Sequence, residues 1–206
     1  MPSRVVVQVR SRGSSDPSGR RRMMRSGMTS VLLLLATAGV SAAAQGGRIT
    51  REEALAAVFP EATVEAERVF LTQPQMARIG EMAGVEVESG LVARYLATEG
   101  GRIVGRAYVD THVVRTKRES LLISLESDGR VKRIDVTAFL EPTEYQAGER
   151  WLQQYHQQAL NDDLAVQRAI RPIAGATLTA GATNAAVRRV LAIDRVLELS
   201  EEQLER

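Results

Sequence analysis

The sequence predicts an α+β domain with a mostly antiparallel sheet, built from consecutive hairpins and flanked by helices. Three observations carry this. Residues 91–139 hold four strand-like runs, paired across short glycine-bearing turns; such hairpins give neighbouring strands opposite directions. Helical patterns lie before and after that block and not between its strands, which separates the chain from βαβ winding. Near the end, a Gly-Ala-Thr turn leads into a long helix with one apolar face.

Taken in order, Thr50-Arg-Glu-Glu53 is a capping box that opens a helix over 51–58, with Leu55, Val58 and Phe59 apolar and Pro60 as its stop. Val64–Leu71 is strand-like. Gln75–Ala83 reads as a helix with Met76, Ile79, Met82 and Ala83 on one face. Strands Leu91–Thr98 and Ile103–Val114 flank Glu99-Gly100-Gly101, and strands Ser120–Glu126 and Val131–Phe139 flank an Asp128-Gly129 turn. Leu140–Tyr145 is a loop, and Gly148–Gln158 is expected to be helical. Asn161-Asp162-Asp163 reads as a break and a new cap, and Leu164–Arg171 is a short segment without a clear pattern. Ala182–Leu197 is the best helix, with Ala186, Val187, Val190, Leu191, Ile193 and Leu197 on one face and Arg188, Arg189 and Arg195 off it. Residues 198–206 are a charged tail, expected to fray. The division is thus a leader at 1–44, an N-terminal helix-strand-helix part at 45–90, a core at 91–197 and the tail.

Charge separates the leader from the rest. Residues 1–44 contain seven of the 27 basic residues and one of the 25 acidic ones, which leaves residues 45–206 at a formal −4. Beyond residue 45 no basic run is interleaved with aromatics, so a nucleic-acid binder is not expected. Arg20–Arg22 and Arg25 precede the apolar run Val31–Val40 and a small-residue site with Ala42 and Ala44. This is the pattern of a secretory signal peptide cleaved after Ala44. Val31–Ala44 is 14 residues, short of the roughly 20 a membrane-spanning helix needs; an uncleaved leader would instead tether the chain to the membrane. Translation starting at Met23 or Met24 instead of Met1 would keep Arg25 as the positive charge. The expected location is periplasmic or extracellular. With no cysteine and only His112 and His156, thiolate metal sites, disulfides, iron–sulfur clusters and Cys nucleophiles are excluded, and a His-rich metal site is not expected. No nucleophile elbow, P-loop or Gly-x-Gly-x-x-Gly pattern occurs.

Chemistry concentrates in Ile173-Ala-Gly-Ala-Thr-Leu-Thr179 and the residues up to Arg189. Gly175 permits a sharp turn, and Thr177, Thr179 and Thr183 lie near the free N–H groups of a helix start. From the residues alone this is either a phosphate cradle or an ordinary threonine cap among small packing residues.

Gly175-Ala176-Thr177-Leu178-Thr179, followed by a helix with Asn184 and Ala186-Val187, resembles the FMN-binding domain. That domain is shared by the C subunit of the sodium-translocating NADH:quinone reductase and the G subunit of the Rnf electron-transport complex. The resemblance covers about Leu91 to Leu191, and only the turn is specific. It implies FMN as cofactor, joined as a phosphodiester to Thr177 by a flavin transferase that uses FAD outside the cytoplasm. It also implies a membrane or periplasmic redox partner. Two positions depart from the family pattern: Arg171 stands where Asp is usual, and Ala174 stands where Ser or Thr precedes Gly-Ala-Thr. Gly181-Ala182-Thr183 is a competing acceptor, ranked lower because it falls within the helix.

Further candidates surround this segment. Glu141, Glu144 and Tyr145 sit in a loop that could line an isoalloxazine ring, or they form a solvated loop made rigid by Pro142. Trp151 and Tyr155 could stack on the ring or pack in the core. His112 could hydrogen-bond flavin or phosphate, or be a structural histidine. Arg115, Lys117 and Arg118 could receive a phosphate or an acidic partner, or form a charged hairpin tip. The expected function is an extracytoplasmic FMN-binding electron-transfer protein without a catalytic triad or metal. The alternative is a flavin-free extracytoplasmic binding domain that keeps the fold, favoured by Arg171 and Ala174.

Overall fold

The computed structural model describes residues 49–204, with side chains through Leu199. The expectations on the leader lie outside these residues. Helix α1 (Arg51–Val58) is followed by β1 (Thr63–Phe70), α2 (Gln73–Ala83), β2 (Leu91–Glu99), β3 (Arg102–Val113), β4 (Arg118–Glu126) and β5 (Val131–Phe139). A one-turn helix α3 (Glu149–Leu152) and a long α4 (Thr177–Leu204) complete it.

The five strands form one antiparallel sheet whose spatial order is the chain order. Helices flank it, so the α+β expectation holds. Alternation along the strands divides the core in two. Leu121, Ile123 and Leu125 of β4 point to the face covered by α2 and α4, with Tyr108, Val131, Ile79, Val187, Val190 and Leu191. Leu122 points to the other face, where α1 supplies Leu55, Val58 and Phe59 against Ala97 and Ala107. Phe59 lies so close to Gly105 on β3 that a β-carbon there would collide with it. Each fully buried large aliphatic side chain contributes about 1.5–3 kcal/mol, so the wider α4 face is the main source of stability.

Local chemistry sets the element ends. α1 opens with the predicted capping box, Thr50 with Glu53. α2 opens with a second, Thr72 with Gln75, plus Pro74 in its first turn; this places its start at Gln73 rather than Gln75.

Three expectations are corrected. Gly148–Gln158 is not one helix: it is α3 plus a 3₁₀ turn at Gln153–Tyr155. The chain then leaves helical geometry, because Gln157 takes φ +62° and its N–H donates to Val131 O (2.7 Å) while Gln158 O accepts from Val131 N. This backbone pairing at the start of β5 replaces a further helical turn. Asn161 caps as predicted, its Oδ1 accepting from the amides of Asp163 and Leu164, but a turn follows instead of a helix. Finally, α4 begins at Thr177, five residues before the expected Ala182, and runs on through the expected tail to Leu204.

Buried charge ties α4 to the sheet. Asp194 accepts two hydrogen bonds from Arg106 and one from the Tyr108 hydroxyl (2.8 Å). Burial would weaken the Arg106 cation, yet the hydrogen bonds and charge of Asp194 outweigh it and raise its pKa. Burial, reinforced by Asp194, pushes the Tyr108 hydroxyl well up.

Candidate functional site

Three separate segments meet at an open cleft of about 620 Å³. Its walls are the β3–β4 turn with Val114, Arg115 and Thr116, the post-β5 loop with Glu141, Pro142, Glu144 and Tyr145, and the Gly175–Thr179 turn. The volume falls within the roughly 300–1,000 Å³ of small-molecule sites. Of the candidates singled out from the sequence, the structure thus gathers Arg115, Glu141, Glu144, Tyr145, Gly175, Ala176, Thr177, Leu178 and Thr179 here.

The Gly-Ala-Thr wall is built by backbone conformation. Gly175 adopts φ +77° with open space around it, so the requirement for glycine comes from the left-handed turn and not from crowding. Ala176 N then donates to Ile173 O (3.2 Å), and Ala180 N to Ala176 O (3.1 Å). These bonds make Ala176 the residue that caps α4. Unlike Thr50 and Thr72, Ala176 has no side-chain acceptor. Among the described residues nothing accepts from the amides of Thr177, Leu178 and Thr179. The first turn also holds no acid. Three unanswered donors with the positive end of a 28-residue helix dipole favour an anion at this point. The Thr177 side chain is exposed, while Thr179 is buried. Thr183 of the second Gly-Ala-Thr is completely buried, and its hydroxyl donates to Glu119 (3.3 Å).

Exposed apolar surface surrounds the opening: Leu178 is 58% exposed and Tyr145 41%. Glu141 is committed to the protein. Its Oε1 accepts from Thr116 N (2.7 Å), Lys117 N (2.8 Å) and Thr116 Oγ1 (3.2 Å). The Thr116 amide, then that of Lys117, holds its carboxyl below the usual range.

Trp151, Tyr155 and His112 lie elsewhere. Trp151 Nε1 donates to Arg171 O (2.7 Å), and the Trp151 ring meets Tyr155 edge-on at 5.6 Å. Gln154 Oε1 accepts from Arg171 N (2.9 Å), so both backbone polar groups of Arg171 are held from the α3 region. Tyr155 is fully buried, and burial pushes its hydroxyl pKa up. His112 sits beneath α4, between Asp110 Oδ1 (2.9 Å) and Glu119 Oε2 (3.0 Å). Arg189 binds Asp110 through two nitrogens. Burial would lower the His112 pKa, but the bonds to Asp110 and Glu119 win and raise it to about 9. Burial likewise opposes the Asp110 charge, and His112 and Arg189 overcome it and lower its pKa. Among the described residues no cluster of His, Asp and Glu has the arrangement of a metal site.

The sequence left open whether the Pro142 loop and the basic hairpin tip serve a ligand at the Gly-Ala-Thr turn or are solvated turns. The order of the hairpins holds the signal: β3–β4 and the exit of β5 must lie at the same end of an antiparallel sheet. Comparison with known proteins adds no relative. No family model, curated protein or solved structure matches this chain.

The cleft's residues fit a flavin phosphate: an exposed hydroxyl, three free amides and the Arg115 guanidinium stand around one opening. Exposed apolar side chains at the rim suit an aromatic ring.

Proposed function

We propose that this chain is an extracytoplasmic electron-transfer protein that holds FMN in the cleft, linked through Thr177. The observation that carries the reading is the start of α4, where an exposed threonine hydroxyl stands beside three backbone donors that no group among the described residues answers. Bound flavin supplies reversible one- and two-electron transfer; the protein supplies position, charge and partial exclusion of water. Thr177 Oγ forms the new P–O bond as the pyrophosphate link of FAD breaks, with AMP leaving and the hydroxyl proton passing to solvent. The amides of Thr177–Thr179 bind the phosphate oxygens. Leu178 and Tyr145 offer apolar surface to the ring. The partners are a flavin transferase and a membrane or periplasmic redox protein.

Arg171 and Ala174 support a second reading, a flavin-free interaction domain, because they replace side chains usual in the family that the sequence resembles. One experiment separates the two. The chain is exported from a host with a flavin transferase, and its intact mass and its fluorescence in a denaturing gel are measured. The flavin reading expects a mass increase of one FMN on the peptide holding Thr177, abolished by Thr177→Ala. Colourless protein of unmodified mass establishes the second reading. Fluorescence surviving in Thr177→Ala sinks the assignment of the acceptor.

A further inference from the structure

We propose, resting on the flavin reading of the cleft, that Arg115 receives the cofactor's phosphate and that Glu141 is the positioning residue that holds Arg115 in place. The β3–β4 connection is a four-residue turn, closed by Val114 N donating to Lys117 O (3.0 Å). A turn of this kind at a sheet end is free to sway unless something binds it. Glu141 does so across 25 residues of chain, taking two successive amides and a hydroxyl with a single oxygen. The Arg115 amide also acts on this carboxylate.

This arrangement decides which group is left for a ligand. A run of backbone N–H groups in a turn can itself be an anion nest. Here a protein carboxylate already fills it, so the turn offers an incoming anion only the Arg115 side chain. Arg115 lines the cleft and has no ion-pair partner among the described residues. Three arginines near α4 are committed elsewhere: Arg106 to Asp194, Arg189 to Asp110, and Arg188 to the carbonyl oxygens of Ala83, Asn161 and Leu164. Lys117 and Arg118 share the turn region but do not line this cleft. Arg115 and the amide donors of α4 therefore belong to one opening, and a phosphate bound there would meet a guanidinium fork on one side and N–H groups on the other.

The test compares FMN with riboflavin, which differs only in lacking the phosphate. Both are titrated into the chain made without a flavin transferase, and dissociation constants are read from quenching of flavin fluorescence. Arg115→Ala should weaken FMN about tenfold, the scale of one charge-assisted bond, and leave riboflavin unchanged. Glu141→Ala should do the same. Glu141→Gln should restore affinity, because its amide oxygen can accept the same bonds. Raising the salt concentration should erase the difference between wild type and Arg115→Ala. Unchanged FMN affinity in Arg115→Ala overturns the proposal, as does an equal loss for both flavins. Wild type that binds both flavins equally overturns it while leaving the cofactor reading intact. Wild type that binds neither removes the cofactor reading and this one with it.

Discussion

Replacing His112 with Gln should flatten the pH dependence of stability above neutrality. His112 is held between Asp110 on its own strand and Glu119 on β4, with Arg189 of α4 behind Asp110 and Thr183 behind Glu119. Protonated, both ring nitrogens donate; deprotonated, one bond is lost and two carboxylates lose a shared cation. The pKa stands at about 9 in the fold against an ordinary 6.5. At about 1.4 kcal/mol per decade of proton affinity, that difference comes to about 3 kcal/mol. The folded chain binds this proton more tightly than the unfolded chain. The contribution is therefore fully present below pH 6.5 and is lost as pH rises through about 9. Urea unfolding of wild type and His112→Gln from pH 6 to pH 10 measures it, and other titrating groups cancel in the comparison. Wild type should lead by about 3 kcal/mol at the acid end, or about 6–12 °C in Tm for a domain of this size, and the curves should converge in alkali. Parallel curves would refute the reasoning.

Other perturbations probe the frame and the acceptor. Asp194→Asn removes the carboxylate that two nitrogens of the buried Arg106 bind and leaves Glu198 (3.1 Å) to face that charge, so it should cost about 1.5–3 kcal/mol in chemical denaturation; a loss below about 1 kcal/mol would mean that Glu198 and solvent carry the charge without it. Gly105→Ala sets a β-carbon against Phe59 and 2.7 Å from Leu125 O, so overpacking should lower stability by about 1–3 kcal/mol, read as a fall in Tm. Gly181 is an exposed helical residue with no neighbour near a new β-carbon. Gly181→Ala should therefore raise stability by about 0.5–1 kcal/mol and leave any flavin in place, although it destroys the second Gly-Ala-Thr.

Much of the frame is legible because its signals are local. Thr50 with Glu53, the Gly100-Gly101 and Asp128-Gly129 turns, and the apolar stripe of α4 all lie within a few residues of what they determine. The capping box at Thr72 and Gln75 is equally local and marks the true start of α2. What resists sequence reading is set by contacts distant in the chain. Thr177, Thr179, Gly181 and Thr183 are weak helix formers, yet α4 includes them because Ala180, Thr183 and Ala186 are buried. The helical pattern of Gly148–Gln158 yields to the backbone pairing of Gln157 and Gln158 with Val131. Register places Arg94 over the half-buried Glu67 of β1 and Arg106 over the buried Asp194 of α4, pairings between residues 27 and 88 positions apart. At the cleft, the Gly-Ala-Thr turn announces itself by composition. The role of Glu141 depends on a partner 25 residues away, which no spacing rule reveals.

The order of the strands has a consequence for assembly. Each strand pairs with the one just before it, so the sheet can grow from short-range contacts as the chain condenses. The cleft cannot. Its walls come from residues 114–116, 141–145 and 175–179, and the last wall exists only once α4 has docked and its buried ion pairs have closed. Thr177 is thus presented in its final geometry only late in folding. A modifying enzyme that required that geometry would act on finished domains and pass over incomplete ones, so that modification at Thr177 would report on folding.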